Sequence, residues 1–211
     1  MNDSDNRTRP AQRPSWRSMA LALVAAASLL ASAAAGCGLD DGEEGGGHPD
    51  YDAALAGAPP RLAALHAQAN RLLPGGVEAY ERRIEELRGF PVVVNVWASW
   101  CGPCRFEFPA FQDVSAKYGK RVAFLGIDSE DSNDAARTFL RDMPVPYPSY
   151  IDPDREIAES IGAKLGLPDT AFYDRTGELV HLKQGPYADH AELRADIERF
   201  ALGGPGSPEG G

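Results

Sequence analysis

The run Pro91-Val92-Val93-Val94-Asn95-Val96-Trp97-Ala98 leads, within three residues, into Cys101-Gly102-Pro103-Cys104. No other feature constrains the chain as much. β-Branched residues favour extended backbone, and an almost unbroken apolar run of this length fits a strand covered on both faces. Such a strand requires helices above and below it, which places the chain among layered α/β folds.

The remaining sequence supplies those helices and further strands. Leu62, Leu65, Ala69 and Leu72 recur near helical spacing between Pro60 and Leu73, where Pro74-Gly75-Gly76 breaks the pattern. A second helix is predicted from Val77 to Leu87, with Tyr80, Ile84 and Leu87 on one face and Gly89 as its stop. Val122 to Ile127 reads as another buried strand, ending at Asp128. Ala135, Ala136, Phe139 and Leu140 mark a helix before the proline-rich stretch Pro144 to Pro148, and Ile157, Ala158 and Ile161 a short one ending at Gly162. Thr170 to Tyr173 and Leu179 to Leu182 flank Asp174-Arg175-Thr176-Gly177, a hairpin signal. Leu193, Ile197 and Phe200 indicate a closing amphipathic helix. The expected architecture is an α/β sandwich with a mixed central sheet.

The ends have a different composition. Arg7, Arg9, Arg13 and Arg17 precede an uncharged Ala/Leu-rich run from Met19 to Ala35, the layout of an export signal. Ala34-Ala35-Gly36-Cys37 resembles the lipobox of bacterial lipoproteins, which implies lipidation at Cys37, although Ala34 stands where Leu is usual. An uncleaved signal anchor and plain secretion are the alternatives, and all three place the domain outside the cytoplasm. The predicted organisation is a signal peptide with lipobox over 1–36, a flexible acidic Gly-rich tether over 37–59, a helical extension over 60–88, the α/β domain over 89–202 and a disordered tail over 203–211. A chain of 211 residues fits one such domain with extensions, and its net charge of −10 argues against nucleic acid as a partner.

The chemistry is expected at Cys101 and Cys104. Two cysteines at this spacing on the first turn of a helix can close and reopen a disulfide, and the helix N-terminus favours the Cys101 thiolate. Cys101 is therefore assigned as the attacking nucleophile and Cys104 as the resolving thiol. Half of a zinc site is the competing reading. It lacks ligands, since the third cysteine is Cys37 and His48, His66, His181 and His190 show no ligand spacing. A purely structural disulfide closing so short a loop stabilises little.

Trp100-Cys101-Gly102-Pro103-Cys104 after a Val-rich strand resembles the thioredoxin superfamily. Val94 to Trp100 with Cys104-Arg105-Phe106-Glu107-Phe108-Pro109 narrows the resemblance to exported disulfide reductases of the TlpA/ResA type, over about Gly89 to Leu202. It implies a thioredoxin-like fold, a mixed central sheet flanked by helices, with an inserted helix and strand at about Asn133 to Ile151 and no cofactor. The extension from Pro60 to Leu87 lies outside the resemblance and is expected to pack on the domain. Asn95 stands where thioredoxins proper carry a buried Asp, which closes that acid/base route. Glu107, one turn beyond Cys104, stands where the family carries a Glu that can tune the thiols or take the resolving thiol's proton; a surface carboxylate is the alternative. Pro168, in Gly166-Leu167-Pro168-Asp169-Thr170, matches the family's cis-proline, whose backbone offers substrate a pairing edge; an ordinary trans turn proline is the alternative. Asp169 departs from the usual Thr or Ser. Leu167, Gly102, Pro103 and Trp100 are expected to support the site or contact substrate, with Trp100 shielding one side of the thiols. Tyr147, Tyr150 and Tyr187 are candidates for the rim of a substrate groove, although scattered aromatics more often belong to the core or the surface.

The resemblance further implies disulfide-containing exported proteins as clients, apocytochrome c among them, and a membrane electron donor of the CcdA/DsbD kind. Gly-Pro between the cysteines leans towards reduction. An oxidase or isomerase of secreted proteins, and a copper-binding assembly factor, are the alternatives. Cys37→Ser is expected to release the protein from membranes with its thiol chemistry intact, as read by cell fractionation. A variant that stays membrane-bound contradicts the lipid anchor.

Overall fold

The computed structural model describes residues 47–203. The segments read as an export signal and a tether, up to residue 46 and with Cys37 among them, lie outside the described residues, as does the segment read as a tail from 204 onward. At the centre is a six-stranded sheet built from β1 (Leu72–Leu73), β2 (Val92–Trp97), β3 (Ala123–Ser129), β4 (Ser149–Asp152), β5 (Asp169–Tyr173) and β6 (Leu179–Gln184). The spatial order is β1-β4-β3-β2-β5-β6. The first four strands run parallel, and β5 and β6 pair antiparallel, β5 against β2 and β6 against β5. This is the mixed sheet of a thioredoxin-like fold.

Every residue of β2 is buried, because helices cover both faces of the sheet. Alternation along the strand divides its side chains between two cores. Val92, Val94 and Val96 join Leu62, Leu65, Tyr80, Ile84 and Ile157 on the face covered by α2 (Pro60–His66), α3 (Gly76–Glu86) and α6 (Glu156–Ser160). Val93 and Trp97 point the other way, into a core that holds Cys101, Cys104, Phe108, Phe111, Phe139 and Leu193. That face is covered by α4 (Gly102–Tyr118), α5 (Asn133–Asp142), α7 (His190–Asp196) and the π-helical turn Ile197–Ala201. Asn95 has the parity of Val93 and Trp97 and so points to the α4 side. The expected inserted helix and strand are α5 and β4.

Three local expectations are corrected. The first predicted helix does not reach Leu73. It ends at His66, and Leu72 and Leu73 pair in parallel with Ser149 and Tyr150 as an edge strand. The turn between them is held at Asn70, whose φ is 57°, whose N–H donates to the Tyr147 carbonyl at 3.1 Å and whose Oδ1 accepts from Val145 N–H at 2.7 Å. Sheet pairing has overridden a helical spacing, so the N-terminal extension completes the sheet as well as covering it. Second, the span read as tether contains a helix, α1 (Tyr51–Leu55), capped by Asp50. Tyr51 donates to the Pro144 carbonyl at 2.8 Å and Leu55 is buried, two anchors that outweigh the acidic, Gly-rich surroundings. Third, the closing helix switches to π geometry at Ile197.

Trp97 locks β2 against its neighbours. Its ring lies 5.3 Å from both Phe108 and Phe139, and its Nε1–H donates to Ser149 Oγ at 3.2 Å, across the width of β3. Gly126 on β3 makes that reach possible. A Cβ there would sit 2.1 Å from Ser149 Oγ and 2.9 Å from Trp97 Nε1. Gly126→Ala is expected to lower the free energy of unfolding by about 1–3 kcal/mol through overpacking, read as a lower midpoint in urea at unchanged slope. An unchanged midpoint contradicts this packing.

Candidate active site

The buried strand β2 delivers the chain through Ala98, Ser99 and Trp100 to Cys101, which caps the N-terminus of α4. The cap is made by sulfur, with the Cys104 N–H donating to Cys101 Sγ at 3.2 Å. The two cysteines are joined by a disulfide with Cα atoms 5.3 Å apart. Cys104 is fully buried, and Cys101 keeps 3% of its surface exposed. Gly102 and Pro103 occupy the first turn of α4, where proline's missing N–H costs nothing. Both are exposed, and a Cβ at Gly102 would meet open space, so this turn leaves the surface beside the disulfide low and uncovered. The Cys104 N–H that points at Cys101 Sγ and the helix dipole favour negative charge on Cys101 when the bond is open.

On the other side lies the segment before β5, with a cis Leu167-Pro168 peptide bond. Leu167 packs against the core that contains both cysteines. Pro168 is buried and its carbonyl accepts from Gly185 N–H at 2.9 Å. Asp169 follows in β5, opposite Val96 and Gln184.

Beneath the disulfide is a polar group of residues in an otherwise apolar core. Glu107 stands three residues beyond Cys104, on the same face of α4, and is buried, not on the surface. Its Oε2 accepts from Tyr187 N–H at 3.0 Å, and Oε1 is buried without a hydrogen-bond partner. Burial pushes its carboxyl up to about 8, against the Tyr187 N–H and Lys183, while Asp169 and Glu192 add to the rise. Asp169 is raised too, by burial, with Arg155 and the Gly185 N–H acting against it. The Asn95 amide, the Thr170 hydroxyl, the Tyr147 hydroxyl and Asp169 Oδ2 are likewise buried, with no partner at ordinary hydrogen-bond geometry among the described residues. Asn95 and Thr170 are direct partners across β2 and β5. Buried orphan polar atoms are costly and gather where a protein uses them.

The three tyrosines take the core alternative, and Trp100 departs from its expectation. Tyr147, Tyr150 and Tyr187 are all buried, so they belong to the core and do not rim a groove. Trp100 is 61% exposed and ties its Nε1–H to the Glu130 carbonyl at 2.8 Å, so it stands out from the surface and does not seal the thiols. Phe106 at 69% and Leu165 at 81% are also exposed, one on α4 and one before the cis-proline. Sequence reading passed over both. The signal for Phe106 is its phase, since it falls outside the buried face marked by Cys104, Glu107, Phe108 and Phe111. Leu165 sits between exposed Lys164 and Gly166, a context that resembles any surface loop.

Comparison with known proteins agrees with this geometry. The AhpC/TSA family profile matches residues 67–182, more than half of the chain. HelX, a thiol:disulfide interchange protein of Rhodobacter capsulatus, is 33% identical over 132 residues, covering 62% of this chain and 73% of HelX. ResA, a thiol-disulfide oxidoreductase of Bacillus thuringiensis subsp. konkukian, is 26% identical over 110 residues, covering 52% of this chain and 63% of ResA. Among solved structures, MTB dsbF in its mixed oxidized and reduced forms superposes with a TM-score of 0.50 at 29% identity, over 54% of this chain and 82% of that one.

The Glu107 carboxyl titrates near 4.5 in an unfolded chain and near about 8 in the folded protein. Between those values the folded state binds the extra proton, so its stability is full below about 4.5 and falls as pH rises towards about 8. Glu107→Gln is expected to remove its share of that fall, measured by urea unfolding across pH. Asp128, pushed up to about 8 by burial and by Asp131, keeps its own share. A variant with the parent's full pH slope contradicts the buried, protonated Glu107.

Proposed function

The chain belongs to the AhpC/TSA family of the thioredoxin superfamily, and from that premise we propose that it is a membrane-tethered, extracytoplasmic thiol–disulfide oxidoreductase that reduces disulfides of exported proteins. The observation that carries the reading is the Cys101–Cys104 disulfide at the N-terminus of α4, beside a cis-proline segment. In the reduced enzyme the Cys101 thiolate attacks one sulfur of a client disulfide. A Cys101–client bond forms, the client bond breaks, and the departing client thiolate takes a proton. Cys104 gives its proton to the carboxylate form of Glu107, the minor form at neutral pH, then attacks Cys101 Sγ and expels the second client sulfur as a thiolate, which takes a proton. Two electrons pass to the client and the enzyme is left with the Cys101–Cys104 bond. Leu167, set by its cis bond to Pro168, offers the client backbone an edge, Pro168 itself being buried with its carbonyl paired to Gly185, and Trp100, Gly102 and Pro103 form the opposite side.

A membrane donor of the CcdA/DsbD kind restores the dithiol, and apocytochrome c before haem attachment is a candidate client. The anchor is a lipid on Cys37. Among the described residues, no helix is long and apolar enough to cross a membrane. A copper-carrying role would require a further ligand near the cysteines. His181 is instead stacked on Phe200, 3.8 Å between ring centroids, and His190 Nδ1 lies 2.8 Å from Asp113.

The test is trapping. Cys104→Ser, in which the resolving step is blocked, is expected to accumulate a mixed disulfide with a disulfide-bonded client protein on a non-reducing gel, while Cys101→Ser gives none. Adducts formed only through Cys104, or by neither cysteine, contradict the assigned roles.

A further inference from the structure

The loop after β3 and the segment that leads to the cis-proline are joined by a chain of contacts that runs through Arg155. On the cysteine side, Asp131 Oδ2 accepts from the Ser99 N–H, and the Glu130 carbonyl accepts from the Trp100 indole. The loop after β3 therefore holds the residues that lead into Cys101. On the cis-proline side, the segment from Ala163 to Asp169 carries exposed Leu165 and the Leu167-Pro168 bond. Arg155 stands between them. Its Nη1 lies 2.7 Å from Glu130 Oε2, its Nη2 donates to the Ala163 carbonyl at 2.9 Å, and its charge acts on the Asp169 carboxyl.

Backbone geometry shows that this link is built under constraint. Glu130 and Arg155 have φ values of 56° and 61°, in a left-handed region that side chains other than glycine rarely occupy. Both are fastened to the same atom, with Glu130 N–H and Arg155 N–H donating to the Asp152 carbonyl at 3.1 and 3.2 Å. An exposed ion pair alone contributes little. Here the arginine side chain is only 15% exposed and uses its planar fork on two acceptors at once, which a lysine cannot reproduce.

We propose that Arg155 is a positioning residue, a strut that sets the distance between the Trp100 wall and the Leu165–Pro168 wall of a groove for the client's polypeptide chain. The inference rests on the disulfide-exchange reading and refines it. Arg155 touches neither cysteine, so it governs how well an extended client chain is seated, and leaves the sulfur chemistry alone.

The experiment compares two substrates, a disulfide-bonded protein such as insulin and a small aromatic disulfide that needs no groove. Arg155→Ala is expected to raise KM for the protein substrate about five- to tenfold, as for loss of a charge-assisted pair, with kcat within about twofold and turnover of the small disulfide unchanged. Arg155→Lys is expected to recover part of the loss. Glu130→Gly removes the carboxylate, keeps the carbonyl that holds Trp100 and suits the left-handed backbone. It is expected to raise KM similarly without lowering the unfolding midpoint, and it decides the matter where Arg155→Ala folds poorly. An unchanged KM in Glu130→Gly and Arg155→Ala, or equal slowing with both substrates, overturns the strut. An unaltered protein that reduces neither substrate overturns the reductase reading itself.

Discussion

Everything around the disulfide depends on the sulfur that caps a helix. Cys101 Sγ accepts the Cys104 N–H at the point where a buried strand becomes α4. The cap fixes which cysteine faces the helix dipole and which lies one turn inside. Its position is set by β2, and β2 is set by burial on both faces, by the Trp97 bond to Ser149 and by the absence of a side chain at Gly126. The two cores therefore act on the reaction indirectly. They hold a strand still so that one sulfur sits at one helix end.

A second constraint works from below. Glu107, Asn95, Tyr147, Thr170 and Asp169 place inside the core polar atoms that lack a well-made hydrogen bond among the described residues, which costs stability. Glu107 keeps its proton well into the neutral range because burial outweighs the Tyr187 N–H and Lys183. A carboxyl that titrates this close to neutrality has both its protonated and its ionised forms within reach at physiological pH, so it can give or take a proton there. Asp169 adds a second buried carboxyl beside it.

Much of this was legible in the sequence, where local chemistry decides. The Val-rich strand, the cysteine spacing and the hairpin turn at Asp174 to Gly177 each carry their structure in adjacent residues, and they appear as β2, the head of α4 and the β5–β6 pair. What escaped depends on distant partners. Leu72 and Leu73 become a strand only because β4 offers an edge, and Tyr51 orders the end of the tether only because the Pro144 carbonyl is within reach. The three tyrosines look alike in sequence whether they rim a groove or fill a core. Glu130 and Arg155 are ordinary surface residues by composition. Their backbone conformations and their link across the groove exist only once β3 and β4 have brought them to one carbonyl.

The direction of exchange is the property on which the proposed function depends most directly. An equilibrium redox titration of the protein against thiol–disulfide buffers, followed by tryptophan fluorescence with Cys101→Ser as the control, measures it in one experiment. A reductant is predicted, with a potential near that of thioredoxin, about −270 mV. A value near that of DsbA, about −120 mV, would contradict the proposal and make the same two cysteines an oxidant.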